Sequence, residues 1–393
     1  MKVLFVVSVL LCVVSSLAKS VKDGSSSGVV FCYYGSWANE RPGVGRFGVS
    51  DLPLDLCTHI VYSFLGLNAT GDLTYPTEQT LEGKSNAVAD LIALKQSNSN
   101  LKILSAIGGW DEGSANFSTV VNNDTLRATF VSNLYNYIDT NGFDGLDLDW
   151  EYPAQRGGIE SDKEMFVTLV KELKSAFEPK GYILTSAVAV TQTHIDLSYD
   201  VPALTQYLDY LNLMLYDFHG TWDTETGVNA PLYPQLTDDA SLNLNGNHSV
   251  HVWLENGANA SKLLMGLGGY GKSFTLTSLN NTSTGAPFTA AGAAGPYTEE
   301  EGILAYYEIC LDQKNNSSEW SITEVTGNYV YANKDLLWVG YDNPSTIYVK
   351  AQYAKTMGLR GIMYWAVDLD DFQGLCGDKF PLITQGIAGY NSV

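Results

Sequence analysis

The sequence predicts a closed (β/α)8 barrel with a small α+β insertion between the seventh strand and the seventh helix. Three observations favour this fold: eight short apolar runs recur along the chain, segments with helical spacing separate them, and one interval is too long to hold only a helix. Such alternation indicates parallel strands covered by helices. No G-x-G-x-x-G fingerprint follows the first strand, so a barrel is favoured over a doubly wound sheet.

Most of the eight predicted strands are continuous apolar runs, the pattern of parallel strands that are buried on both faces. They span residues 29–34, 59–64, 102–107, 143–153, 183–190, 210–216, 263–267 and 361–366. The segments 124–135 and 162–173 carry apolar residues three and four apart behind an acidic first turn, which predicts helices.

The predicted insertion covers residues 273–346, where the chain turns to Thr, Asn, Gly and Tyr. Alternation at 320–325 and 328–332 indicates antiparallel strands, and a short helix is predicted at 302–308. The barrel then comprises residues 19–272 and 347–393. At the carboxyl ends of the barrel strands, the insertion would form one wall of a groove.

Residues 1–18 have the pattern of a secretory signal peptide, with Lys2, a short apolar core and small residues at Ser16 and Ala18. A buried helix or a membrane anchor is the alternative, but the apolar run is short for spanning a bilayer. No other stretch is apolar enough to span one. We therefore expect a secreted, extracellular protein.

Cysteine usage and glycosylation signals agree with secretion. Cleavage would remove Cys12 and leave Cys32, Cys57, Cys310 and Cys376, an even number that suits an oxidising compartment. Of the three possible pairings we favour Cys32–Cys57 and Cys310–Cys376, because each joins neighbours in the predicted order of elements. Nine N-glycosylation sequons begin at Asn68, Asn116, Asn123, Asn247, Asn259, Asn280, Asn281, Asn315 and Asn316.

The chain is strongly acidic, with a formal net charge of −21 that becomes −22 when Lys2 is lost with the leader. This charge speaks against nucleic acid and anionic membranes as partners. Aromatic residues make up 12% of the chain, and flat amphipathic rings suit stacking on sugars as well as packing in a core.

Four acidic residues, Asp144, Asp147, Asp149 and Glu151, interrupt the apolar run 143–153. Side chains alternate along a strand, so the last three share one face while Asp144 lies on the other, as a structural residue at the strand entrance. Neighbours in this row lie roughly 6 to 7 Å apart, so at least one should hold a proton at neutral pH. An acidic loop or a cation site is the alternative, and the flanking leucines and tryptophan argue against the loop.

Aromatic residues dominate the carboxyl ends of the predicted strands, where active sites of such barrels lie. Taken singly, each ring is better explained by core packing. An acid surrounded by aromatic rings at one end of a barrel is instead what a glycosidase requires, because rings stack on sugar faces while a carboxylic acid protonates the glycosidic oxygen.

The segment 144–151, Asp-Gly-Leu-Asp-Leu-Asp-Trp-Glu, resembles the D-G-x-D-x-D-x-E signature of glycoside hydrolase family 18, the chitinases. Segments 102–110, 214–222, 268–276 and 361–372 support the likeness, which extends from residue 29 to about 382 in the order typical of animal members with the α+β insertion.

The resemblance implies catalytic roles for five residues. Glu151 would protonate the leaving oxygen and then activate water, while Asp149, between Asp147 and Glu151, would bond the substrate N-acetyl group. The acetamido carbonyl would attack the anomeric carbon, so that configuration is retained. Tyr216 and Asp217 resemble the pair that holds the acetamido group.

The resemblance also implies a substrate groove with Trp365 as its floor. The other predicted substrate-binding residues are Tyr33, Trp37, Phe64, Gly109, Trp110, Tyr152, Met214, Trp222, Tyr270 and Lys272. Lys272 departs from the arginine of many relatives, which predicts a changed subsite affinity or pH profile with hydrolysis retained. No metal or cofactor is expected, because the five histidines lack paired ligand spacing, and His219 is interpreted as structural.

The expected partner is chitin or chito-oligosaccharides, and the expected state is a monomer. Two alternatives stay open: a chitinase-like lectin that has lost catalysis, and an endo-acting hydrolase that trims N-glycans. Retention of Glu151, Asp149 and Tyr216 favours an enzyme. The insertion and the tryptophans at 110 and 365 favour chitin over N-glycans.

Overall fold

The computed structural model describes residues 28–75, 87–235, 237–238 and 242–393. The predicted signal peptide, residues 1–18, lies outside the described residues. Within the described ranges, no helix is both long and apolar enough to cross a bilayer.

The first part of the chain alternates strands and helices. Its strands are β1 (Val29–Gly35), β2 (His59–Leu67), β3 (Leu73–Thr74), β4 (Lys102–Gly108), β5 (Gly145–Asp149), β6 (Ile183–Val188), β7 (Tyr210–Leu213) and β8 (Leu263–Gly268). Its helices are α1 (Ala87–Ala93), α2 (Ala115–Val121), α3 (Asp124–Asn141), α4 (Asp162–Phe177), α5 (Gln192–Ser198), α6 (Val201–Tyr207) and α7 (Gly246–Glu255). Both helices predicted from periodicity are confirmed as α3 and α4.

A second sheet follows β8 at once. It comprises β9 (Tyr270–Leu276), β10 (Phe288–Ala291), β11 (Ile303–Ala305), β12 (Trp320–Val325), β13 (Tyr329–Lys334) and β14 (Leu337–Tyr341), with helix α8 (Tyr306–Asn315). All its pairings are antiparallel, and β9 lies against β10, β11 and β14. The sheet thus spans residues 270–341, whereas the insertion was predicted to span residues 273–346.

One predicted element of the insertion is wrong. The segment 302–308 reads as a short helix in the sequence, but Ile303–Ala305 forms β11 and the helix begins only at Tyr306. The reason is tertiary: β11 pairs antiparallel with β9, with Ile303 opposite Lys272.

The chain returns to the barrel with α9 (Pro344–Thr356), β15 (Gly361–Trp365) and α10 (Pro381–Tyr390). Strand β15 pairs in parallel with both β8 and β1, and β1 pairs with β2. The remaining neighbours, β2 with β4 and then β4 to β8 in turn, are also parallel. The eight predicted strands therefore close into the predicted (β/α)8 barrel.

Two disulfides tie neighbouring elements together. Cys32 in β1 is bonded to Cys57 just before β2, and Cys310 in α8 is bonded to Cys376 in the segment after β15. The favoured pairing is therefore confirmed. The second bond connects the insertion to the last part of the barrel.

Candidate active site

Asp147 forms the inner end of the carboxylate row, fully buried in β5. The strand register places it beside Thr185 of β6. Its carboxylate accepts hydrogen bonds from the hydroxyls of Tyr33, at 2.7 Å, and Thr185, and from the amide of Asn212, at 3.1 Å. Burial raises the pKa of Asp147 to about 6, although these bonds favour its ionised form.

Asp149 is the middle member and the least satisfied. It is buried, and its Oδ1 atom has no hydrogen-bond partner among the residues that the structure describes. Burial, followed by the charges of Glu151 and Asp147, raises the pKa of Asp149 well above its usual value. A buried carboxyl oxygen without a partner is costly in a resting protein, so a substrate group that bonded it would remove that cost.

The backbone around Asp149 is fixed by the end of β4. The Gly109 amide donates to the Asp149 carbonyl at 2.8 Å. Gly109 has φ +86°, and a Cβ there would lie 2.7 Å from the Phe64 ring. Gly109, a predicted substrate-binding residue, is buried. Its lack of a side chain leaves room for the Phe64 ring.

Glu151 lies two residues beyond the end of β5, at the mouth of the row. Burial raises the pKa of Glu151 to about 7, with a further rise from the charge of Asp217, while the Arg156 charge lowers it. A carboxyl group with this pKa can give a proton and take one back near neutral pH.

Arg156, which sequence reasoning missed, holds the backbone at this mouth. Its guanidinium donates to the Glu151 carbonyl at 2.9 Å and to the Trp110 carbonyl at 2.8 Å. It also lies 3.5 Å over the centre of the Trp110 ring. One face of the Trp110 indole is therefore covered, although 60% of the residue is exposed.

Ser114, also missed, bonds to the residues on either side of Glu151. Its hydroxyl accepts from the Trp150 indole at 2.9 Å and donates to the Tyr152 carbonyl at 2.9 Å. Ser114 occupies the N-cap position of α2 but its side chain makes no capping bond. A position that reads as an ordinary helix cap therefore supports the catalytic segment instead.

Three stacked aromatic side chains form the floor of the cleft. The rings of Phe64 and Trp365 lie 5.6 Å apart at 23°, and Trp37 stacks on Phe64 at 6.1 Å. Trp37 is 43% exposed. Tyr33 meets Trp365 edge-on from below and is only 1% exposed. Tyr33, predicted to line the groove, is thus buried against Trp365 and donates to Asp147.

The opposite wall joins the loop after β7 to the first strand of the insertion. Tyr270 donates its hydroxyl to Asp217 Oδ1 at 2.7 Å, and the Lys272 ammonium lies 2.9 Å from the same oxygen. Asp217 has φ +57°, and its amide donates to Asn229 at 2.9 Å. The Lys272 ammonium also lies 5.3 Å over the ring of Trp222.

The remaining predicted residues lie between the two walls or at their edges. Tyr216 is buried edge-on to Tyr270 at 6.1 Å, and burial raises the pKa of its hydroxyl well above the usual value. Tyr152 is half-buried against His194 at 4.9 Å, and Met214 is half-buried. Trp222, at 61%, is the most exposed of the predicted aromatic residues.

Two other predicted structural residues lie where their contacts explain them. Asp144 accepts from the Ile103 amide and pairs with Lys95 at 2.8 Å, below the carboxylate row. His219 lies between Asp223, at 3.1 Å, and Asp238, at 3.5 Å. Among the described residues, the one cluster with metal-ligand types is Cys310, Asp371 and Cys376, and its sulfurs form a disulfide.

The geometry, a buried carboxylate row opening on an aromatic floor, agrees with the family comparison. The model of the glycosyl hydrolases family 18 matches residues 29–370, which include both walls of the cleft. The chain belongs to this family. As a member of family 18 it is a glycoside hydrolase, and the resemblance seen in the sequence is confirmed.

Relatives within the family agree over most of the chain. An endochitinase of Manduca sexta is 40% identical, over 94% of this chain and 68% of its own. A structure of Ostrinia furnacalis Group IV chitinase in complex with allosamidin is 41% identical, with a TM-score of 0.88, over 91% of this chain and 97% of its own. Human YKL-39, described as a pseudo-chitinase with retained chitooligosaccharide binding, is 34% identical, with a TM-score of 0.84, over 93% of this chain and 100% of its own.

Proposed function

We propose that the protein is a secreted chitinase that hydrolyses the β-1,4 bonds of N-acetylglucosamine polymers with retention of configuration. The observation that carries this proposal is the position of Glu151 at the outer end of a buried carboxylate row, where burial raises its pKa to about 7. The exposed rings of Trp37, Trp110 and Trp222 border the same cleft and suit sugar faces. The names of the Manduca and Ostrinia relatives support the same substrate class.

The reaction would begin with proton donation. Protonated Glu151 gives its proton to the glycosidic oxygen as the bond to the anomeric carbon breaks. The electron pair comes from the carbonyl oxygen of the substrate's own acetamido group, which forms a cyclic oxazolinium-type intermediate. The Glu151 carboxylate then takes a proton from water as that water opens the ring from the opposite face.

Asp149 would stabilise the charge that develops on the acetamido nitrogen. Its buried Oδ1 atom lacks a partner within the described part of the chain, so it can accept a bond from the acetamido N–H. Tyr216 and Asp217 would hold the acetamido oxygen and carbon in line for attack. Trp365 would support the sugar that is cleaved, with Phe64 fixing the angle of the indole.

The test is release of chito-oligosaccharides from soluble chitin by the purified protein, compared with Glu151→Gln. We expect products from the wild type and none from the variant above background, with both binding the oligosaccharide. Equal inactivity of the two proteins under all pH conditions would contradict the enzyme assignment.

A lectin is the second candidate, because human YKL-39 has the same fold and is described as a pseudo-chitinase. Retention of Glu151, Asp149 and Tyr216 with raised pKa values argues for turnover. Oligosaccharide binding without product, in wild type and variant alike, would identify the lectin. Cleavage of N-glycans with no cleavage of chitin would identify the endo-acting alternative.

Secretion and a monomeric state complete the proposal. The pattern of residues 1–18 supports secretion, and so do the two disulfides, which suit an oxidising compartment. Recovery of the processed protein from the medium of a eukaryotic culture tests export, and light scattering of that material tests the monomer.

A further inference from the structure

The nine sequons differ in the surroundings of their asparagines. Six asparagines are exposed, namely Asn68, Asn123, Asn259, Asn280, Asn281 and Asn315. Three are half-buried, namely Asn116, Asn247 and Asn316. Because an N-linked glycan is bulky and hydrated, its asparagine must lie at the surface of the folded protein. Exposure alone therefore separates the sequons into two groups.

Four of the exposed asparagines each form the same type of turn. In each, Oδ1 accepts a hydrogen bond from the backbone amide two residues on, at 2.9 Å for Asn68, 3.0 Å for Asn123, 3.0 Å for Asn259 and 3.1 Å for Asn281. This Asx turn uses the carbonyl oxygen of the side chain and directs the amide nitrogen away from the backbone.

This arrangement suits glycosylation, because Oδ1 bonds the backbone while Nδ2 is left to react. The transfer joins Nδ2 to the anomeric carbon of an oligosaccharide carried on a lipid pyrophosphate. The amide gives up one N–H proton as the lipid pyrophosphate leaves. Oδ1 is unchanged, so the Asx turn survives. Of the four, Asn68 also donates from Nδ2, at 3.4 Å to Asp72, and one remaining N–H is enough for that bond.

Asn116 is arranged in the opposite way. Its Nδ2 donates to the Leu67 carbonyl at 2.9 Å and to Glu112 at 3.2 Å. Both N–H groups are therefore in use, and they tie the end of β2 to the loop that follows Trp110. A glycan on Nδ2 would remove one of these bonds and would have to fit into a half-buried site.

We propose that Asn68, Asn123, Asn259 and Asn281 carry N-linked glycans and that Asn116 does not. The Asn116 amide instead fixes the loop between Trp110 and Ser114, which forms one side of the cleft. This inference rests on the proposed secretion, because only a chain that enters the secretory pathway meets the transferase.

The experiment uses the full chain expressed in insect cells and purified from the medium. Peptides are treated with a peptide N-glycosidase in water labelled with oxygen-18, which converts each formerly glycosylated asparagine to a labelled aspartate. We expect label at the four proposed sites and none at Asn116. Label at Asn116 in folded, active protein would overturn the proposal, and so would unlabelled peptides at the four sites.

Two matched variants separate modification from structure. Asn68→Gln should remove one glycan from the intact mass and lower the melting temperature of the enzymatically deglycosylated protein less than Asn116→Gln does, because the Asn68 turn bonds are exposed to water. Asn116→Gln should leave the glycan mass unchanged and lower that melting temperature, because its two hydrogen bonds are lost. Loss of glycan mass in Asn116→Gln would contradict the assignment. Chitinase activity measured on the same preparations distinguishes failure of this proposal from failure of the proposed function.

Discussion

The two walls of the cleft hold their charged groups in different ways. The barrel wall comprises β5 and the segment 150–156. Asp147 and Asp149 are buried in it, and the segment 150–152 is fixed by hydrogen bonds with Ser114 and Arg156. The opposite wall, called the insertion wall below, comprises the loop after β7 and the start of β9. There Asp217 and Lys272 pair with each other, and 45% of the Asp217 side chain is exposed.

This difference separates two tasks. Buried side chains whose orientation is fixed by hydrogen bonds can shift the pKa of a neighbouring acid and hold it in one position, as bond cleavage requires. Partly exposed pairs are screened by water and contribute less to any one step, so they suit recognition along the polymer. We therefore expect changes to the buried groups of the barrel wall to reduce kcat, and changes to Lys272 on the insertion wall to alter KM.

Glu151→Gln should have the largest effect, because it removes the carboxyl group at the mouth of the row that gives and takes the proton in the proposed reaction. General acid–base groups contribute about 10²- to 10⁴-fold, and we expect kcat to fall at least that much. Oligosaccharide binding, followed by tryptophan fluorescence, should stay close to that of the wild type. A variant that kept more than a tenth of the wild-type kcat would contradict the assignment of bond cleavage to the barrel wall.

Ser114→Ala should have the next largest effect. It leaves the Trp150 indole without its acceptor and frees the Tyr152 carbonyl, so the Glu151 carboxyl is held less firmly. We expect kcat to fall by about 10- to 100-fold with little change in KM, as for a misplaced catalytic group.

The control for this prediction is Ser118→Ala. The Ser118 hydroxyl is also buried, and it donates to Asp162 at 2.8 Å instead of to the segment 150–152. Either substitution should cost about 1–3 kcal/mol of unfolding free energy if it leaves a buried partner unsatisfied. Equal loss of kcat in both variants would mean that Ser114 acts only through stability.

The pH profile gives opposite shifts for two charges near Glu151. The acid works while protonated, so kcat should fall as pH rises through about 7. Asp217 raises the pKa of Glu151, so Asp217→Asn should move this alkaline limb to lower pH. Arg156 lowers that pKa, so Arg156→Gln should move the limb to higher pH. Each shift should be up to about one pH unit.

The profile is measured with a soluble fluorogenic chito-oligosaccharide, and the limb is located independently of the absolute rate. Asp217 lies on the insertion wall and Arg156 on the barrel wall, so the pair tests whether both walls act on one proton. Shifts of the same sign in the two variants would show that the limb belongs to another group.

Lys272→Arg should have the smallest effect. The planar fork of arginine would bond Asp217 in a different geometry, while the positive charge over Trp222 is retained. We expect KM for long oligosaccharides to change by no more than about fivefold, with kcat unchanged. Lys272→Met, which removes the charge, is the comparison. Abolished turnover in Lys272→Arg would show that Lys272 itself takes part in bond cleavage.

The barrel could be predicted from the sequence because each of its strands is a local pattern. Parallel strands buried on both faces appear as unbroken apolar runs, and the acidic residues at 147, 149 and 151 interrupt one of them visibly. The helix predicted for segment 302–308 was wrong for the opposite reason. Strand β11 in that segment depends on pairing with β9, which no local pattern encodes.

The supporting residues of the site could not be predicted in the same way. Ser114 stands before a helix, where serine is expected for capping, and its real partners lie 36 and 38 positions away. Arg156 sits in a loop with no periodicity, and Tyr33 is one of many aromatic residues near the strand ends. Their roles depend on which strands are neighbours, so they follow from the closed barrel and not from spacing.

A single residue, Gly269, separates barrel strand β8 from insertion strand β9. Its amide donates to the Trp365 carbonyl at 2.8 Å, and its carbonyl accepts from the Tyr306 amide at 2.9 Å. A Cβ there would lie 3.0 Å from the Ala366 carbonyl, so the junction has no spare room. These contacts hold the insertion close against the barrel at this junction. For the proposed chitinase we expect the cleft to keep its width when an oligosaccharide binds, so that discrimination between polymers rests on how well their shape matches it.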